Sequence, residues 1–133
     1  MIFKPHEDIQ QIPKGFRKRW AEALMSSKQA KDVMYDPKTR GDCCLMVAER
    51  LNGNSPRNFL KNSKGEMPAG KFKAPYRTPE GELLQDLMLA QHSLSGEEGD
   101  CIYYLPSYLN DVLLNHKQIA ALLRGETVEI PDE

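Results

Sequence analysis

The stretch Gly41-Asp42-Cys43-Cys44-Leu45-Met46-Val47-Ala48-Glu49-Arg50-Leu51-Asn52-Gly53 constrains this chain most. Asp42 is a candidate N-cap and Gly53 a candidate C-terminal stop for a helix between them. Cys44, Val47, Ala48 and Leu51 then recur at i, i+3, i+4, i+7 on one face, with Glu49 and Arg50 pointing away. A helix of this pattern must be covered along one side, so the rest of the chain has to supply a cover.

The flanking segments supply it. From Lys14, a helix with Phe16, Trp20, Ala23 and Leu24 on one face is predicted, its cations Arg17, Lys18 and Arg19 lying mostly off that face. Pro106–Leu114 reads as a second helix with Tyr108, Leu109, Val112 and Leu113 inward. Asn115, with Gln118 three residues on, opens a third as a capping box, and Gly125 stops it. Thr78-Pro79-Glu80 starts another, with Leu84, Leu87 and Met88 as its stripe, fading near His92. Short strands are expected near 33–35, 71–76, 101–105 and 126–130. Residues 1–13 read as an extended arm, and 52–79 as a long basic loop with a short turn at Pro56–Leu60. The sum is an α+β fold: a single compact domain over residues 1–133, mostly helical with about five helices, and a small antiparallel sheet.

The 133 residues suffice for one core without staples. Three cysteines, two of them adjacent, do not form a disulfide framework and suit a reducing cytoplasm. No apolar leader and no membrane-length apolar run is present, so a soluble cytoplasmic protein without membrane contact is expected. The net charge of −1 conceals a division: residues 1–79 carry +8 and residues 80–133 carry −9. The basic half presents Arg17, Lys18 and Arg19 in its first helix. Arg57, Lys61, Lys64, Lys71, Lys73 and Arg77 lie in the long loop. Such cations suit an acidic protein surface, or the phosphates of a nucleic acid or nucleotide.

Three segments carry a family resemblance. Trp20-x-x-Ala23-Leu24, then Cys43-Cys44-Leu45-x-Val47, then Leu109-Asn110-Asp111 followed by Ile119-Ala120, resemble small proteins of tailed phages and prophages. Those share a Trp-x-x-Ala-Leu helix, a Cys-Cys-Leu-Gly-Val segment and a late Leu-Asn-Asp…Ile-Ala pair. The likeness spans roughly residues 16–51 and 105–123. Met46 stands at the usual glycine, and Leu113 and His116 at the usual glycine and phenylalanine. It implies a phage or prophage context, with no activity attached.

One catalytic arrangement competes. Asp42-Cys43 at a helix start also resembles papain-like cell-wall amidases, in which the helix dipole favours a reactive thiolate. His92 or His116 would have to serve as base, and neither falls at the start of a predicted strand, where that fold places it. Burial of both thiols as small apolar side chains fits the pattern better. A zinc site from Cys43, Cys44, Cys101 and a histidine is disfavoured, because adjacent helical residues point about 100° apart. No metal and no cofactor is called for. An alternative use of the last two helices as a DNA-reading pair is disfavoured by the acidity of that half. The expectation is a non-catalytic protein that binds a host or phage macromolecule, such as an inhibitor of a host enzyme or of an anti-phage defence. A cysteine hydrolase and a nucleic-acid or nucleotide binder are the alternatives.

Overall fold

Apolar spacing and capping build the helical layer in this computed structural model, which describes residues 1–59, 88–93 and 101–131. Helix α1 (Lys14–Ser26) buries Phe16, Trp20, Ala21 and Leu24. Helix α4 (His116–Leu123) begins at the expected capping box. Asn115 Oδ1 accepts the Gln118 N–H at 2.9 Å, and Gln118 Oε1 accepts the Asn115 N–H at 2.8 Å. Gly125, at φ +86°, ends it in the left-handed region that glycine enters at little cost. α1 and α4 pack on each other more extensively than any other pair of elements described.

A four-stranded antiparallel sheet forms the second layer, in the order β5-β4-β1-β6. Its strands are β1 (Ile2–Pro5), β4 (Ala90–Ser93), β5 (Cys101–Tyr104) and β6 (Val128–Glu129). The register sets Phe3 opposite Val128, Pro5 opposite Ala90 and Ala90 opposite Tyr104. Phe3, Ala90, Tyr104 and Val128 therefore share the buried face, while Ile2, Lys4 and Tyr103 face outward. A two-residue pair, β2 (Tyr35–Asp36) with β3 (Gly41–Asp42), stands apart from this sheet. The α+β class, mostly helical with a small antiparallel sheet, is as the sequence predicts.

Several local expectations are corrected. The extended arm expected over 1–13 is built into the sheet: β1 lies between β4 and β6, Phe3 is buried as well as Ile9 and Ile12, and Glu7–Gln11 forms a 3-10 turn. Residues 90–93 are strand rather than the end of a helix. Ala-Gln-His-Ser has little strand propensity, and pairing on both sides decides the outcome. The first short strand is Tyr35–Asp36 rather than 33–35, with Val33 exposed. Pro56–Phe59 is the expected turn, in 3-10 form. The strand at 71–76 and the helix from Thr78, up to residue 87, lie outside the described residues.

Helix α2 (Cys44–Leu51) is capped by Cys43, not Asp42. Asp42 is held in β3, and its carboxylate takes a forked pair of bonds from Arg50, at 2.6 and 3.1 Å. Gly41 lets β3 lie against residues 28–30, where the Asp42 N–H donates to the Lys28 carbonyl and the Asp42 carbonyl accepts the Ala30 N–H, because a Cβ at 41 would meet the Gln29 carbonyl oxygen at 3.0 Å. Residues 41–49 are all buried, Glu49 included, where the sequence pattern points Glu49 to solvent. The Glu49 carboxylate accepts from Asn54 Nδ2 at 2.8 Å.

In α3 (Pro106–Tyr108) the chain continues into a π-helical turn, Leu109–Leu113. The wider turn changes which side chains face in. Leu109 and Asn110 are buried, whereas Tyr108 and Val112, expected inward, are about half exposed. Asn110 makes four bonds there. Its Oδ1 accepts the Cys44 N–H at 3.0 Å and Gln29 Nε2 at 3.2 Å; its Nδ2 donates to the Ala30 carbonyl at 2.8 Å and Asp111 Oδ1 at 2.9 Å. Asn110→Ala should therefore strand a buried N–H and a buried C=O and cost about 3 kcal/mol, at roughly 1–3 kcal/mol per orphaned group. Urea unfolding would measure it as a lower midpoint with the slope unchanged.

Candidate functional site

The two thiols stand where α2 begins, and their surroundings decide their chemistry. Cys43 Sγ caps the helix, accepting the Met46 N–H at 3.4 Å and lying 3.3 Å from Met34 Sδ. Burial pushes its pKa up to about 12, against the lowering effect of the Met46 and Leu45 N–H groups. Cys44 is fully buried, and burial, reinforced by the neighbouring Cys43, raises its pKa well above the ordinary thiol value. Cys44 Sγ points at the Pro106 carbonyl, 3.6 Å away. Both thiols are protonated near neutral pH, the opposite of what a nucleophile needs.

The two candidate bases each have Nδ1 engaged, while His116 Nε2 is buried without a hydrogen-bond partner among the described residues. His92, on β4, meets the Tyr104 hydroxyl through Nδ1 at 2.7 Å and stacks on that ring at 5.3 Å. His116, in the first turn of α4, is buried with Nδ1 2.6 Å from Ser27 Oγ. Burial lowers its pKa to about 4, although Asp42 and the Ser27 backbone pull the other way. Neither histidine is hydrogen-bonded to Cys43 among the described residues. Nor, among those residues, does any group of three His, Cys, Asp or Glu side chains stand ready to hold a metal ion.

The predicted cations divide. Arg17 and Lys18 line an open cleft of about 500 Å³ together with Lys14 and Gly15 of α1 and Leu123 and Arg124 at the end of α4. Among the described residues none of these four cations has an ion-pair partner. Arg17 Nε is buried without a hydrogen-bond acceptor among them. Arg19 lies instead over the Phe16 ring, 5.8 Å from its centroid. Arg57 is exposed on the 3-10 turn and does not line the cleft. Lys61, Lys64, Lys71, Lys73 and Arg77 lie outside the described residues. Sequence reasoning places Lys14 only as a helix start. The antiparallel docking of α1 on α4 that brings the cleft cations together has no local sequence signal.

α4 buries Ile119, Ala120, Leu122 and Leu123, and leaves Lys117 and, at its C-cap, Arg124 exposed. No helix among the described residues is long and apolar enough to cross a membrane. Searches for similar proteins found no matching family model, no similar curated protein and no similar solved structure.

Two outcomes follow. Alkylation by iodoacetamide near neutral pH should leave Cys43 and Cys44 unmodified in the native protein and modify both at free-thiol rates in denaturant. Mass-spectrometric mapping would read the difference, and rapid native labelling of Cys43 would contradict the burial argument. For His116, the unfolded chain takes up a proton near pH 6.5 and the folded one only near 4. Between these values the unfolded state binds more protons, so this group's contribution to stability is present above about 6.5 and is lost as pH falls towards 4. Urea midpoints measured from pH 7 downward should fall less steeply for His116→Asn than for the parent chain.

Proposed function

We propose that this chain is a non-catalytic binding protein, encoded by a phage or prophage and acting in the host cytoplasm on a host or phage macromolecule. Inhibition of a host enzyme or of an anti-phage defence is the purpose that best suits such a protein. The observation that carries the binding reading is the cleft between α1 and α4, where Lys14, Arg17, Lys18 and Arg124 gather without ion partners among the described residues. The candidate catalytic side chains meanwhile are engaged in packing: Cys43 and Cys44 are buried in α2 and its cap, and His92 and His116 each bond a hydroxyl. The resemblance of the Trp20, Cys43-Cys44 and Leu109-Asn110-Asp111 segments to tailed-phage proteins supports the phage context. The same cations would also suit nucleic-acid or nucleotide phosphates, which is the second reading.

Affinity capture from a bacterial host lysate tests both. The chain as bait should retain a discrete macromolecule, with nuclease treatment leaving the capture intact if the partner is a protein and abolishing it if the partner is nucleic acid. Peptidase or amidase activity lost in Cys43→Ser would defeat the proposal.

A further inference from the structure

We infer that the α1–α4 cleft is a docking site for an acidic segment of a partner protein, one that presents an apolar side chain between carboxylates. This rests on the binding reading above and assigns its ligand. The walls of the cleft carry Lys14, Arg17, Lys18 and Arg124, and its other lining residues among those described are Leu123 and Gly15. Its volume, about 500 Å³, is room for one or two side chains of a ligand. Lys14 and Lys18 stand in the first turns of a thirteen-residue helix that has no acidic residue in its first turn and no side-chain N-cap. The positive end of the helix dipole thus adds to their charge instead of offsetting it. Arg17 lines the cleft while its Nε is buried without an acceptor among the described residues, an unmet donor that costs about 1–3 kcal/mol.

The chemistry of the lining separates a carboxylate-bearing peptide from a nucleic acid. Strand binders that use a basic groove also stack bases on exposed aromatic rings. The aromatics nearest along α1, Phe16 and Trp20, are buried, and no aromatic ring is among the described lining. Leu123, with the aliphatic stems of the lysines and arginines, instead offers an apolar floor under a charged rim. Arginine also matches a carboxylate in a planar fork.

The test is fluorescence anisotropy at low salt with a short labelled peptide that repeats Glu-Glu-Leu, beside an all-glutamate peptide of equal length and a mixed single-stranded oligonucleotide. The Glu-Glu-Leu peptide should bind more tightly than either. Lys18→Glu, Arg124→Glu and Arg17→Gln should each raise its Kd about tenfold. Lys38→Glu, on the β2–β3 turn, should not, and unfolding midpoints would show that each variant is folded. Four outcomes would overturn the inference: no peptide binding; equal binding of the all-glutamate peptide; tighter binding of the oligonucleotide, sensitive to the same substitutions; or self-association through this cleft. If bait carrying Lys18→Glu with Arg124→Glu still captures its partner from lysate, the cleft assignment fails while the binding function stands. If neither bait captures anything, both fail.

Discussion

The peptide unit that opens α2 is gripped from both sides, and the arrangement of the helices depends on it. Trp20 Nε1–H donates to the Cys44 carbonyl at 2.9 Å, and Asn110 Oδ1 accepts the Cys44 N–H at 3.0 Å. The first bond ties α2 to α1 and the second ties it to the π turn. The Cys44 N–H belongs to the first turn of α2, where no intrahelical acceptor exists, so an acceptor had to come from elsewhere in the chain. Asn110 is the residue type that can accept there and still donate to Ala30 from the same side chain. Gln29 extends the clasp by donating to the carbonyls of Asn110 and Leu114, at 2.8 and 3.0 Å. The three segments that carry the phage resemblance therefore meet at one residue, Cys44.

That convergence accounts for the paired cysteines without catalysis. A helix N-terminus favours a thiolate, by about 0.3–1 kcal/mol in ordinary surface geometry. Moving the Cys43 pKa from 9 up to about 12 reflects an opposing effect of roughly 4 kcal/mol, at 1.36 kcal/mol per unit. Desolvation wins at this site. A small apolar thiol at Cys44 lets the Trp20 and Asn110 bonds approach the backbone while filling the space against Pro106.

Elements with a strong local signal were legible in the sequence: the α1 stripe, the Asn115–Gln118 box, Gly53 and Gly125 at helix ends, and the 101–104 strand. Elements fixed by partners were not. Ile2–Pro5 and Ala90–Ser93 are four residues each and become strands because they lie side by side in one sheet. Asp42 was a reasonable N-cap until Arg50 and β2 claimed it. Glu49 and Asn110 defy helix periodicity because buried polar partners, not solvent, satisfy them. Of the candidate site, Arg17 and Lys18 were readable as cations. Their junction with Arg124, more than a hundred residues along the chain, was not.

Three of the four cations of the cleft are placed against the interest of the fold. Arg124 follows the last turn of α4, where positive charge complements the negative end of a helix dipole. Lys14 and Lys18 do the reverse at the start of α1, and Arg17 leaves a buried donor without an acceptor among the described residues. Acids at the first turn of α1 would have stabilised it by a few tenths of a kcal/mol each and paired with Arg124. A chain selected for stability alone has no reason to gather four like charges around an apolar floor at the positive end of a helix. Sites where local rules fail without a compensating contact are where function is expected, and in the described part of this molecule the α1–α4 cleft is such a site. The α2 core, where nearly every buried polar group has its partner, is not.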